Sequence, residues 1–251
     1  MSDPLFYAVA IPAILLVGIS KGGFGGGVGL IGTPMVALVT TPTRAAAILL
    51  PILCAMDIVG VAAYRRSWDP VNLRILVPAS VFGILLGTAT FRFLDENLIR
   101  LLIGLLALAF VLRYWLVRTP AVAPATPSRR SGSLWGTLAG FTSFVAHAGG
   151  PPLSVYLLPQ QMDKTLFVGT TVIYFAIVNY VKLIPYSLLG QFSGANLVTS
   201  LLLSPLAPLG MWLGIWLHRR IEEKLFYQSV YLMLSVVGLK LLYDGLAGLT
   251  C

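Results

Sequence analysis

Six apolar runs limit what this chain can become. They occupy residues 44–64, 75–91, 98–117, 165–187, 197–217 and 225–249. Runs of roughly 18 apolar residues can cross a bilayer core as helix. Only 10% of the 251 residues are charged, and mean hydropathy is +0.88. An ordinary soluble domain carries roughly 25% charged residues. The sequence therefore predicts an all-α integral membrane protein with lipid-facing surfaces. The apolar–polar alternation of barrel strands is absent. The start, "MSDPLFYAVAIP", has no basic n-region and its apolar stretch continues into a glycine segment, so no signal peptide is expected.

The net charge is +8. The basic residues sit in loops between the runs, as the positive-inside rule requires, so no nucleic-acid partner is expected. Cys54 lies inside a run and Cys251 ends the chain. Neither is spaced for a metal site or a disulfide, and no cofactor is expected. Cys54 reads as a small packing residue.

The stretch "RTPAVAPATPSRRSGS", residues 118–133, is polar and rich in proline, and reads as an exposed linker. It divides two halves that repeat. "GILLGTATFRFLDENL" begins at Gly83 and "GMWLGIWLHRRIEEKL" at Gly210, 127 residues on. Gly83 and Gly87 match Gly210 and Gly214, and Arg92 matches Arg219. "GTPMVAL" at Gly32 matches "GPPLSVY" at Gly150, 118 residues on. The nine extra residues of the second half fall near 158–164 or near 188–196. The first repeat, 1–117, holds an apolar hairpin at 5–40 and spans at 44–64, 75–91 and 98–117. The second, 134–251, holds a hairpin at 134–159 and spans at 165–187, 197–217 and 225–249.

Arg65, Arg66 and Arg74, the arginines around the linker, and Arg219, Arg220 and Lys224 mark cytoplasmic loops. "YSLLGQFSGAN", residues 186–196, carries no charge and fits the outside. If each hairpin turns back inside the membrane, each half crosses an odd number of times. The halves are then inverted, as in secondary transporters.

The first hairpin turns at "SKGGFGGGVGLIGTP", which begins at Ser20. Its flanks, 5–19 and 28–39, are about 22 Å and 18 Å as helix, short of a core of about 30 Å. Gly22, Gly23, Gly25, Gly26 and Gly27 would give the tip freedom and close approach. N–H groups of the following half-helix would face an anion. Lys21 would add a full charge, at a cost of about 2.5–3.5 kcal/mol if it sat at the bilayer centre. Either it lines a pathway and attracts the anion directly, or it snorkels from an ordinary loop.

The second hairpin turns at "TSFVAHAGGPP", which begins at Thr142. Gly149 and Gly150 make the turn, Pro151 suits a first helical turn, and Thr142, Ser143 and His147 add polar groups. His147 either binds an anion or moves a proton, or is a satisfied buried histidine. Asn179 and Lys182 share one helix face. Lys182 lines the site or snorkels from near the span's end. Asp57 pairs with Lys21 or Lys182, or carries a coupling proton.

These features resemble the TauE/SafE family of sulfite exporters and their relatives. The resemblance rests on "GISKGGFGGGVGLIGTP", on "AHAGGPPLSVYLL" and on the repeated G-x-x-x-G…R blocks, and it covers almost the whole chain. It implies export or uptake of sulfite or small organosulfur anions across a bacterial plasma membrane, and it allows a homodimer. Family second repeats often carry more glycine where this chain has Ala146 and His147.

Two other classes compete. An anion channel would use similar groups around an open pore. A membrane-embedded enzyme would need a nucleophile–base pair or metal ligands. His147 and His218 are the only histidines, and Ser20 and Lys21 are neighbours that point apart on a helix. No ATP-binding motif is present.

Overall fold

A computed structural model describes residues 3–24, 29–116, 125–217 and 223–250. Those residues contain helices and no strand. The helices are α1 Pro4–Gly23, α2 Gly32–Ala37, α3 Pro42–Tyr64, α4 Pro70–Thr90, α5 Glu96–Leu116, α6 Arg129–Ala146, α7 Gly150–Leu157, α8 Lys164–Leu188, α9 Gly194–Leu203, α10 Leu206–Leu217 and α11 Glu223–Thr250. Three long helices start the same way. Asp3, Thr41 and Asp69 each accept a backbone N–H from the first turn, and a proline follows as the first helical residue. The side chain satisfies an orphan donor, and proline has no N–H to lose there.

α1, α3, α4 and α8 are long and apolar enough to cross a membrane, and α9 with α10 make a fifth span if the bent pair counts as one. The chain is thus a multi-pass membrane protein. α3, α4, α5, α8 and α11 fall on the runs expected at 44–64, 75–91, 98–117, 165–187 and 225–249. The run at 197–217 is not one straight span. It breaks between Leu203 and Leu206 and bends by 42°, where Pro205 cannot continue the backbone bonding.

The hairpins also depart from expectation. α1 does not end near residue 19. It runs 20 residues, through Gly22 and Gly23, to about 30 Å. α2 is only six residues. Gly25, Gly26 and Gly27 lie outside the described residues. The linker is shorter than 118–133. Ser128 accepts from the Ser131 N–H at 3.4 Å and starts α6 at Arg129, so the last five linker positions are helical.

Gly22 and Gly23 work as packing residues in α1. A Cβ on Gly22 would lie 2.5 Å from the Met211 carbonyl, and one on Gly23 would strike that of Gly214. Gly210 and Gly214 return the contact from α10 against Leu15, Gly18 and Ile19. The matching pair, Gly83 and Gly87 on α4, presses on Thr137, Phe141 and Phe144 of α6. Small residues four apart let membrane helices touch backbone to backbone. Each half's glycine pair thus packs on the other half's first helix.

α3 and α8 form the centre. The apolar stretch of α3 is 67% buried and that of α8 61%, against 39% for α4. They run antiparallel. Arg44, near the start of α3, donates to Asn196, in the first turn of α9 beyond the end of α8, at 3.1 Å. The Asp69 N–H, just past the end of α3, donates to Thr170, near the start of α8, at 2.9 Å. The caps of α3 and α8, Thr41 and Asp163, are 122 residues apart. Of the nine extra residues, four therefore precede α8 and five follow its cap.

Candidate functional site

Polar side chains from α1, α3, α6 and α8 meet in the interior. The Lys21 ammonium on α1 forms an ion pair with Asp57 on α3 at 2.5 Å and reaches the Leu53 carbonyl at 3.4 Å. Asn179 on α8 donates to the other Asp57 oxygen at 2.8 Å. Asp57 and Asn179 are 122 residues apart, as the caps of their helices are, so equivalent positions of the two halves touch at the centre.

One turn further along α8 stands Lys182. Its ammonium lies 3.0 Å from the Ser143 carbonyl, 3.0 Å from the Ser143 hydroxyl and 2.8 Å from His147 Nδ1. Three acceptors match three N–H groups. The other imidazole nitrogen, Nε2, lies 2.9 Å from the Ala46 carbonyl. A carbonyl can only accept, so Nε2 carries a proton and Nδ1 is left to accept from Lys182. Asp57 and Lys182 are 0% exposed, Lys21 4% and His147 9%.

The burial removes the snorkelling alternative for both lysines. Lys182 is not at a frayed helix end; six further residues of α8 follow it. The two lysines differ in what faces them. Lys21 has a carboxylate partner and Lys182 has neutral acceptors. Sequence reasoning assigned the direct attraction of an anion to Lys21. In the structure Asp57 balances that charge, because α1 packs with Lys21 beside the middle of α3.

His147 ends α6 in the left-handed conformation, φ 53° and ψ 27°. Such a backbone favours glycine, and a non-glycine residue held there is a local cost. Bonds from both ring nitrogens hold it. The Thr142 hydroxyl lies 2.9 Å from the Leu138 and Ala148 carbonyls, so it closes this turn rather than facing Lys182. Gly149 fits against Ala139 and Ser143, where a Cβ would come within 2.8 Å of the Ala139 carbonyl. Gly149 and Gly150 carry the N–H groups of the turn into α7, since Pro151 and Pro152 have none.

The structure adds two residues. Ser20 and Thr33, both buried, have hydroxyls with no hydrogen-bond partner among the described residues. An orphaned buried hydroxyl costs about 1–3 kcal/mol, which makes it uncommon without a purpose. Ser20 precedes Lys21 and Thr33 precedes Pro34, so their place flanking the glycine segment was the available signal. No group of three or more His, Cys, Asp or Glu placed to hold a metal occurs among the described residues.

Fold and site define a multi-pass α-helical membrane protein with a buried basic centre. The chain belongs to the sulfite exporter TauE/SafE family, whose model matches residues 10–241. No curated protein and no solved structure matches it. The family is one of membrane transporters.

Proposed function

We propose that the chain is a secondary transporter that moves a small anion, sulfite or an organosulfonate, across a bacterial plasma membrane by alternating access. The observation that carries this reading is Lys182, a fully buried cation with three neutral acceptors and, among the described residues, no carboxylate in contact. A charge kept uncompensated at membrane depth marks a pathway, and an anion is the partner it lacks. Ser143, His147 and Asn179 would orient the anion, and Ser20 and Thr33 would supply O–H donors to its oxygens. Lys21 would join when Asp57 takes up a proton and releases it, which couples anion movement to protons.

Alternating access draws support from the exchange of contacts between halves. α1 packs on α10 and α6 on α4, while α3 and α8 cross antiparallel at the centre. Two repeats of opposite orientation would produce this arrangement. The centre is less than a tenth exposed, which fits a carrier better than a standing pore. Purified protein in liposomes should show saturable sulfite or methanesulfonate uptake that is accelerated by the same anion inside. Uptake that rises linearly with concentration and ignores internal anion would favour a channel.

A further inference from the structure

Two tyrosines stand at equivalent places on either side of the basic centre. Tyr64 is the last residue of α3, and its hydroxyl donates to the Gly22 carbonyl at 2.7 Å. Tyr186 lies near the end of α8, and its hydroxyl donates to the Phe144 carbonyl at 2.7 Å. The tyrosines are 122 residues apart, and so are the two acceptors. Each acceptor lies in the last turn of the first arm of a hairpin, α1 or α6, where carbonyls have no partner within the helix. Each tyrosine also follows its half's central residue by seven positions, Asp57 or Asn179. It therefore shares that residue's helix face, two turns further on.

Because α3 and α8 are antiparallel, the tyrosines seal opposite ends. Tyr186 stacks on His147, with ring centroids 6.2 Å apart, and meets Phe144 edge-on at 5.4 Å. Beside it a small recess is lined by Thr43, Phe91, Tyr186 and Gln191, among others. Tyr64 packs with Val168 and Val172, with Phe167 and Ile215 against them, in an apolar cluster separate from the main core.

We propose that Tyr64 and Tyr186 are the two gates of the transporter. Each hydroxyl pins a hairpin arm to the span beside it, and release of one bond opens the centre to one face only. This rests on the carrier reading, since a standing pore needs no alternation. Both bonds are made here, so the structure is the occluded state.

Cys54 supplies a native reporter. It is buried three residues before Asp57, on the same face of α3. The test is the rate at which a membrane-impermeant methanethiosulfonate modifies Cys54, with Cys251→Ser, from each face of sealed vesicles of known orientation. Tyr186→Phe and Tyr64→Phe keep the rings and remove only the hydroxyls. Each variant should accelerate modification on the order of 2- to 12-fold, the worth of one neutral hydrogen bond. The acceleration should come from one face only, and from opposite faces for the two variants. Unchanged rates, acceleration from both faces, or acceleration from the same face in both variants would overturn the gates. Thermal unfolding of both variants near that of the parent separates gate loss from loss of fold. Sulfite flux measured on the parent protein tests the carrier reading separately, because the labelling needs no substrate.

Discussion

Lys182 Nζ lies 2.8 Å from His147 Nδ1, while His147 Nε2 is engaged with the Ala46 carbonyl at 2.9 Å. The two bonds together fix the imidazole's tautomer and leave the lysine facing acceptors without charge. They also tie α8 to the tip of the second hairpin, and that tip to the start of α3. The contact that holds the left-handed turn in place is thus also the one that presents the cation.

Ser20 and Thr33 give opposite signs for stability and binding. Ser20→Ala and Thr33→Val remove hydroxyls that have no hydrogen-bond partner among the described residues. The variants should melt at the same temperature as the parent or higher, because an orphaned buried hydroxyl costs about 1–3 kcal/mol. Their anion affinity should fall by roughly 3- to 10-fold, the value of one lost hydrogen bond. Thermal unfolding with and without sulfite measures both. Unchanged affinity would reduce the two hydroxyls to packing.

Asp57→Asn should tighten sulfite binding at neutral pH. The substitution keeps an acceptor for Asn179 and removes the charge that Lys21 now faces at 2.5 Å. It should also abolish accumulation driven by a pH gradient, because asparagine cannot carry a proton. Liposome uptake with and without a gradient is the measurement. Gradient-driven accumulation by the variant would remove Asp57 from coupling.

The glycine contacts predict which helix pairs tolerate bulk. Gly140→Val would drive side-chain atoms into the Ser80 backbone, and Gly214→Val into that of Ile19. Each should cost about 1–3 kcal/mol or more through overpacking. Gly194 has nothing within 4 Å of its Cβ position, so Gly194→Ala should be neutral. Melting temperatures in detergent would rank the three. A sensitive Gly194 with tolerant Gly140 and Gly214 would refute the packing account.

Orientation is open to labelling. A cysteine at Ser193 should react with an external impermeant reagent in whole cells, and one at Ser128 should not. By the positive-inside rule, the basic residues at 65, 66, 129 and 130 would put the end that holds Ser128 in the cytoplasm. The reverse pattern would invert the topology.

The spans α3, α4 and α8 were legible because apolar length is what a bilayer selects, and α5 and α11 are helices on the runs expected for them. The break at Pro205 was hidden inside a run that stays apolar on both sides of it. Gly22 and Gly23 were misread for a physical reason. Glycine serves a turn and a backbone contact equally, and only the presence of α10 tells them apart. The site's members were mostly visible, since charge and amides are rare in apolar runs. Their pairing was not. Lys21 and Asp57 are 36 residues apart, and only the depth at which α1 meets α3 decides that they touch.

We propose that Lys182, rather than Lys21, anchors the anion. Titration calorimetry with sulfite on Lys182→Met and Lys21→Met tests it most directly, because methionine keeps the length of the chain and removes the charge. A charge-assisted bond is worth about 1.5–3 kcal/mol, so Lys182→Met should bind roughly 10- to 150-fold more weakly, with Lys21→Met affected less. Parent-like affinity in Lys182→Met, or a greater loss in Lys21→Met, would contradict the account.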